Sequence, residues 1–162
     1  MNKKLIVGLI LLSALIFTVY LLWPSDESRI KKLFKEGAAA LESRDLDGII
    51  AKISFNYRDD YGMTYLSLKE ALKREVEKLS DIYVEYGDLE IKVFKNGKSQ
   101  GEQIPSAASD MATAELNVRV IATVGSDTGY ILGDVKSPLH LKFTLGKERM
   151  KWLIIKTEGF EF

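Results

Sequence analysis

The sequence ATAELNVRVIA, residues 112–122, alternates strictly between small or apolar and mostly polar side chains. Successive side chains of a β-strand point to opposite faces, so this period of two predicts a long strand with one buried face. Glu115, Asn117 and Arg119 fall on the other face. The predicted buried face consists of Ala112, Ala114, Leu116, Val118, Val120 and Ala122.

Alternating stretches flank this strand on both sides. Before it, residues 82–86 and 89–94 alternate around Gly87-Asp88, which predicts either a hairpin or one bent strand. Residues 96–110, rich in Gly, Ser and Ala, are interpreted as an exposed loop. After the strand we predict a turn at Gly125–Gly129, a strand over 139–145, a turn at Gly146-Lys147 and a last strand over 151–157. The sheet is therefore antiparallel, with about four to six strands.

The region before the sheet has helical periodicity. Apolar residues from Ile30 to Leu41 recur at helical spacing, and the polar residues 25–28 can cap this helix. Asp45 is predicted to cap a second helix that ends near Ser54, and Ser67-x-x-Glu70 matches a capping box for a third. Helices followed by antiparallel strands predict an α+β domain with three helices packed on a curved sheet.

The N-terminal segment Leu5–Trp23 contains no charged residue. A helix of this length spans about 28 Å, which matches the hydrocarbon core of a bilayer. Two alternatives are a cleaved signal peptide, disfavoured by the bulky residues before Pro24, and a buried core helix. We predict a single-pass bacterial inner (cell) membrane protein with its N-terminus inside and its domain on the extracytoplasmic side. The expected parts are a short cytoplasmic N-terminus (1–4), a transmembrane helix (5–23), a hinge (24–28) and the domain (29–162).

Composition excludes several classes of function. Removing Lys3 and Lys4 from the 23 basic residues leaves 21 against 23 acidic ones, so we expect no nucleic-acid partner. The chain has no cysteine, which excludes disulfides, thiol nucleophiles and zinc–thiolate sites.

A family resemblance rests on several segments: 33–41, the run RDLDGII at 44–50, the run ISFNYRD at 53–59, residues 65–79 and WLII at 152–155. Together they resemble the nuclear transport factor 2-like superfamily over residues 29–160, as a membrane-anchored bacterial member. The resemblance implies a cone-shaped α+β barrel. The superfamily includes isomerases, dehydratases, hydrolases, transport factors and membrane-tethered assembly proteins, so function must be argued from the site. The layout is similar to inner-membrane scaffold subunits of type IV secretion machines.

The chemistry expected of an enzyme of this fold is missing from the predicted buried face. A site of the ketosteroid isomerase kind needs carboxylates within the cone, whereas Glu115, Arg119, His140 and Lys142 all fall on the polar face. The single histidine and the aspartate pairs lack metal-site spacing. We therefore expect no catalytic residue, no cofactor and no metal, and the interpretation leans toward a non-enzymatic protein.

Two groups of residues remain as candidate binding sites. Tyr57, Asp59 and Tyr61 are candidate ligand contacts at the mouth of the cone; the alternative is that Tyr57 plugs the core and Asp59 ties down the connector. Arg119, Ile121, Leu153 and Ile155 form a candidate face for a protein partner or a homodimer. The first hypothesis is a membrane-tethered binding or assembly module. The alternatives are a binder of a small apolar ligand in the cone and an isomerase- or dehydratase-like enzyme.

Overall fold

The computed structural model describes residues 12–13, 24–95 and 110–159. Apart from Leu12 and Ser13, the predicted membrane segment Leu5–Trp23 lies outside these ranges, as does almost all of the predicted loop at 96–110. No helix within the described ranges is long and apolar enough to cross a membrane. These ranges hold helices α1 (Asp26–Glu42), α2 (Leu46–Ile50) and α3 (Tyr65–Lys78), followed by strands β1 (Leu79–Lys95), β2 (Asp110–Val124), β3 (Asp127–Leu132), β4 (Leu139–Glu148) and β5 (Lys151–Glu158).

The strands form one antiparallel sheet with the order β1-β2-β4-β5. The short strand β3 pairs with the C-terminal part of β2, beyond the residues that pair with β4. Register shifts interrupt the pairing of β1 with β2 and of β4 with β5, and such irregularities bend a strand. The α+β prediction, with helices on a curved antiparallel sheet, is confirmed.

Helix α1 packs on the face of the sheet that the alternation of β2 identifies. All six residues of the predicted buried face are at most 8% exposed. Ile30 and Leu33 of α1 pack in a cluster with Ala112, Ala114 and other buried residues, and Phe34 meets Phe143 edge to face with ring centroids 5.1 Å apart. We call this the inner face of the sheet and the opposite one the outer face. Each large apolar side chain buried here contributes about 1.5–3 kcal/mol.

Side-chain caps set the helix boundaries. Ser25 accepts the Ser28 amide at the start of α1, so the helix begins at Asp26 and three residues of the proposed hinge 24–28 are helical. Asp45 caps α2 as predicted, through the Gly48 amide at 2.9 Å. Helix α2 ends at Ile50 rather than near Ser54, because residues 52–54 exchange backbone hydrogen bonds with Ile154 of β5.

Helix α3 begins earlier than the predicted Ser67. Thr64 is its N-cap, and the Ser67 hydroxyl, not the Glu70 carboxylate, accepts the returning Thr64 amide at 2.7 Å. The helix therefore starts at Tyr65, and Ser67 is the third helical residue of the capping box rather than the cap.

One alternative between strand and hairpin is decided, and two predicted turns are revised. Of the two predicted alternatives around Gly87-Asp88, the structure has the single bent strand, β1, rather than the hairpin. Strand β3 begins at Asp127, so part of the predicted Gly125–Gly129 turn is strand. Gly146 and Lys147 stay in β4, paired with Leu153 and Trp152 of β5. The chain instead turns at Arg149 and Met150, which have φ values of 45° and 69°.

Candidate functional site

The inner face of the sheet presents hydrocarbon to the helices. Its buried residues on β2 are followed across the sheet by Leu141, Leu145 and Trp152. Throughout the described ranges, every buried side-chain nitrogen or oxygen has a hydrogen-bond partner. A ligand that entered beside this part of the core would therefore meet mainly apolar contacts.

Among the described residues, there is open space beside Gly37, on the side of α1 that carries Phe34. Within the described part of the chain, no atom lies within 4 Å of the position that a Cβ on Gly37 would occupy. Phe34 and Phe143 are only half-buried. A separate groove of about 360 Å³ lies between α3 and the end of α1, but Arg44, Lys73 and Glu77 give its lining a charged character.

Tyr57 is buried at the edge of the core, with 5% of its surface exposed. Burial raises the pKa of Tyr57 above its ordinary value of 10.0; a hydrogen bond with Thr157 opposes the rise, and the negative charge of Asp59 adds to it. Thr157 lies on the inner face of β5, opposite Phe143. The tyrosine thus joins the connector before α3 to the last strand.

Asp59 organises that connector. Its carboxylate accepts the backbone N–H groups of Tyr61, at 3.0 Å, and Met63, at 2.8 Å. An aspartate that accepts the amide two residues ahead forms an Asx turn. Tyr61 points outward with 64% of its surface exposed. The three candidate ligand contacts therefore face different surroundings: Tyr57 lies inside, Asp59 is engaged in a turn and Tyr61 lies at the surface.

Charged residues occupy the outer face in a connected network. Glu115 lies beside Lys142 across the β2–β4 pair, and His140 Nδ1 lies 3.1 Å from Asn117 Oδ1. At the β5 edge, Lys156 contacts Asp60 at 2.9 Å and Glu158 at 3.0 Å. The bond with Asp60 raises the pKa of Lys156, partial burial opposes this, and Glu158 adds to the rise.

Three carboxylates on or beside the sheet, those of Glu115, Asp59 and Asp60, do not form the site that an isomerase of this fold needs. Glu115 faces outward, opposite to the buried residues of β2, and Asp60 is exposed and bound to Lys156. Asp59 is buried, but its carboxylate is engaged by backbone amides. In the described structure, none of these three residues has a carboxylate that is both inside the apolar interior and free to bind a substrate.

At the other end of the outer face, three apolar residues form a continuous row. Ile121 of β2 lies between Tyr83 of β1 and Tyr130 of β3, its two register partners. The tyrosines are 55% and 44% exposed. We call Tyr83, Ile121 and Tyr130 the outer row. Beside it, Arg119 Nη1 lies 3.4 Å from Glu85.

The candidate partner face splits in the structure. Arg119 and Ile121 lie at the outer row, whereas Leu153 pairs with Gly146 near the opposite end of the sheet. Ile155 lies at the β4–β5 register shift, and its carbonyl accepts the Arg58 amide at 3.0 Å. Sequence reasoning missed the two tyrosines of the row. The alternation of Ile82, Tyr83 and Val84 could have identified Tyr83, because it places an aromatic side chain on the face opposite to the two aliphatic ones.

The start of α1 is clamped to the β4–β5 hairpin. Asp26 accepts hydrogen bonds from Trp152 Nε1 at 3.1 Å and from Lys147 Nζ, which it also approaches as an ion pair at 2.9 Å. Lys147 also reaches Asp110 at 3.3 Å. We call Asp26, Lys147 and Trp152 the clamp.

The clamp shifts the pKa of both charged partners. Burial raises the pKa of Asp26, but the bonds from Lys147 and Trp152 outweigh it, and the net pKa lies below 3.8. The bond with Asp26 raises the pKa of Lys147 above 10.5, against the effect of burial, and Asp110 adds to the rise. Both groups are therefore charged over a wide range of pH.

Comparisons with known proteins give likenesses of structure. No family model matches the sequence, and no curated protein matches it. A Nostoc punctiforme protein of unknown function with a cystatin-like fold is 17% identical, with a TM-score of 0.56, over 82% of this chain and 87% of that one. A Pseudomonas putida protein described as nuclear transport factor 2-like, also of unknown function, is 18% identical, with a TM-score of 0.52, over 81% and 82% of the two chains.

A third similar structure is a Novosphingobium aromaticivorans protein provisionally named a scytalone dehydratase. It is 11% identical to this chain, with a TM-score of 0.58, over 85% of this chain and 89% of that one. Identities this low carry information about fold and none about activity. From its helices, its curved sheet and these likenesses, we conclude that the chain adopts the nuclear transport factor 2-like fold.

Proposed function

We propose that this chain is a membrane-tethered, non-enzymatic assembly module on the extracytoplasmic side of a bacterial cell membrane. Its apolar segment Leu5–Trp23 is the tether, and the outer face of its sheet binds a protein, in the first instance a second copy of the same chain. The observation that carries the proposal is the outer row, in which the exposed Tyr83 and Tyr130 flank the half-buried Ile121. Exposed contiguous apolar residues mark interaction surfaces.

The tether constrains how two copies can meet. The clamp places Asp110, the first residue of β2, beside the start of α1 and so beside the end of the tether. At about 3.3 Å per residue, Ile121 lies roughly 35 Å further along β2. The strand therefore runs from the tethered end of the domain toward the outer row.

A symmetric dimer in one membrane needs its two-fold axis along the membrane normal, so that both tethers enter the same bilayer. With the axis parallel to β2 and between two outer faces, Ile121 meets Ile121 of the partner subunit. Tyr83 then faces Tyr130 of the partner subunit, because the rotation exchanges the two ends of the row. The outer row is therefore self-complementary under this two-fold rotation.

The area available is compatible with a small interface. Four strands spaced about 4.8 Å apart and about 33 Å long present a face on the order of 600 Å². A standard interface buries about 800 Å² on each partner, so even the whole outer face, with its polar residues, gives an interface below the standard size. The row supplies the apolar anchors, and the Glu85–Arg119 pair lies at its rim.

The mass of the full chain in mild detergent tests self-association. We expect a dimer for the native protein and a monomer for Ile121→Asp, because a carboxylate replaces the central apolar contact. A loss of about 3 kcal/mol weakens the dimer roughly 100-fold. Phe55→Asp is the matched control, since Phe55 is 80% exposed but lies outside the sheet. A monomeric native chain, or an Ile121→Asp variant as dimeric as the native one, would contradict the proposal, as would a complex with a different protein in place of the dimer.

Membrane extraction tests the tether separately. We expect the full chain to stay in the membrane fraction after a sodium carbonate wash and to keep its N-terminus, because nineteen uncharged residues precede the domain. Release of the intact chain into the supernatant would end the tether proposal. A mature N-terminus beyond Trp23 would show a cleaved signal peptide instead.

One observation favours a second candidate function, the binding of a small apolar ligand. The open space beside Gly37 borders the half-buried ring of Phe34 on the same face of α1. Native mass spectrometry of the gently purified chain tests this candidate. A bound mass that Gly37→Leu displaces supports a ligand, whereas an empty native chain ends the idea.

A further inference from the structure

The turn between β4 and β5 has an unusual composition for a tight connection. Arg149, Met150 and Lys151 are all exposed, and 63% of Met150 is accessible to solvent. Segments that bind the surface of an anionic bilayer combine apolar side chains, which enter the interface, with basic ones, which attract the headgroups. We call these three residues the basic turn.

The clamp and one further contact hold the basic turn beside the start of α1. Arg29 Nη1 donates a hydrogen bond to the Met150 carbonyl at 3.4 Å. Asp26 accepts a hydrogen bond at 3.1 Å from Trp152, the second residue of β5. Trp23, the last residue of the apolar segment, precedes Asp26 by only three positions. Three residues extend at most about 11 Å, so the turn lies close to where the chain would leave a membrane.

The acidic residues around the basic turn are directed to other partners than its two cations. Glu27 is paired with Lys31, and Asp26 and Asp110 are paired with Lys147. Glu148 is the register partner of Lys151 and keeps its negative charge, but its carboxylate accepts the Ser54 hydroxyl and forms no ion pair with Lys151. Within the described ranges, neither Arg149 nor Lys151 takes part in an ion pair or a side-chain hydrogen bond. Both are therefore available to a negatively charged partner.

We propose that the basic turn is a lipid-binding site that rests on an anionic bilayer surface, with Arg149 and Lys151 at the phospholipid headgroups and Met150 entering the interface. The inference depends on the proposed tether, which brings this end of the domain to the membrane. A basic residue near an anionic surface is worth about a fivefold gain in binding, so the pair contributes roughly 25-fold. The contact would fix the tilt of the domain and so direct β2 away from the bilayer.

The absence of native cysteine allows a clean test with single labels. The full chain with Met150→Cys, carrying an environment-sensitive fluorophore, is placed in nanodiscs of phosphatidylcholine alone or mixed with phosphatidylglycerol. We expect a blue-shifted emission and protection from an aqueous quencher in the anionic discs, both reduced by high salt. Adding Arg149→Gln and Lys151→Gln should abolish the difference between the two lipids.

Ser137→Cys is the matched control, because Ser137 lies in the loop before β4, about 30 Å from the basic turn along that strand. Its label should remain exposed in both discs. If the label at position 150 is quenched equally in the two lipids while the chain co-elutes with the discs, the lipid site is refuted and the tether stands. If the chain does not enter the discs, the tether fails and this inference falls with it.

Discussion

The clamp that joins α1 to the β4–β5 hairpin yields a prediction about stability. Asp26→Asn keeps an oxygen that can accept the Trp152 Nε1–H group but removes the charge that faces Lys147 at 2.9 Å. Asp26→Ala removes both interactions. The two variants therefore separate the ion pair from the tryptophan hydrogen bond.

The expected losses of stability follow from how deeply the side chains of the clamp are buried. The side chains of Asp26 and Lys147 are 22% and 17% exposed, so solvent screens the pair only in part. A hydrogen bond between charged groups contributes about 1.5–3 kcal/mol, and the remaining Lys147–Asp110 contact lowers the net loss to about 1–2 kcal/mol for Asp26→Asn. Trp152 is only 4% exposed, so Asp26→Ala leaves a buried donor unpaired and costs about 1–3 kcal/mol more.

The pH dependence has a definite sign. The pKa of Asp26 is lowered in the folded protein, so its contribution is present above the ordinary value of 3.8 and is lost as the pH falls through the folded pKa. The pKa of Lys147 is raised, so its contribution is present below 10.5 and is lost as the pH rises through the folded pKa. The difference in free energy of unfolding between the native chain and Asp26→Asn should therefore be constant near neutral pH and become smaller in acid.

Urea denaturation of the full chain in detergent, at neutral and at acidic pH, measures these differences. Asp47→Asn is the control, because Asp47 also lies in the first turn of a helix and is exposed. It should change the free energy of unfolding by no more than about 0.5 kcal/mol. The reasoning is refuted if Asp26→Asn behaves like this control, or if its loss is as large in acid as at neutral pH.

Three other predictions concern the connector and the inner stripe of α1. Tyr57→Phe should lower the free energy of unfolding by about 1 kcal/mol, since it removes the hydrogen bond to Thr157; an unchanged denaturation midpoint would argue against that bond. Asp59→Ala should cost about 1–2 kcal/mol and speed hydrogen exchange at the Met63 amide, and exchange as slow as in the native chain would contradict the Asx turn. Gly37→Ala should raise the free energy of unfolding by about 0.5–1 kcal/mol, because helix propensity improves and no atom obstructs the new Cβ; a destabilised variant would show that the space is filled.

Local patterns in the sequence predicted the main architecture. The alternation along β2 and the apolar repeat of α1 each depend on one element alone. All six predicted residues of β2 are buried, as are Ile30 and Leu33 of α1, whereas the buried Ala40 was not predicted. The caps at Ser25 and Asp45 are equally local, because each cap binds an amide three residues ahead.

Features that depend on pairing between distant elements could not be read from such patterns. The β4–β5 turn was placed at Gly146 because glycine favours turns, whereas the register with β5 keeps that residue in the strand. Arg149 and Met150 adopt positive φ without being glycine, so no turn signal marked them. Asp26 and Trp152 are 126 residues apart, which places the clamp beyond any local motif.

The candidate site shows the same limit. Ile121 and Arg119 were proposed as partner residues from the phase of β2, but the outer row also needs Tyr130, for which no strand was predicted after the turn at Gly125–Gly129. For Tyr57 and Asp59 the sequence left two alternatives, ligand contacts or structural residues of the connector. Their contacts match the structural alternative, in which Tyr57 is buried and Asp59 ties down the connector.

Thiol crosslinking in native membranes is the most direct test of tethered self-association through the outer row. Packed sheets lie about 10 Å apart, beyond the reach of a disulfide, so Ile121→Cys is treated with a bismaleimide of about that span. Ala39→Cys, exposed on α1 in the helical layer, is the control. The account predicts a crosslinked dimer for the variant at position 121 and a monomer for the control. An Ile121→Cys chain that stays monomeric, or crosslinks no more than the control, contradicts it.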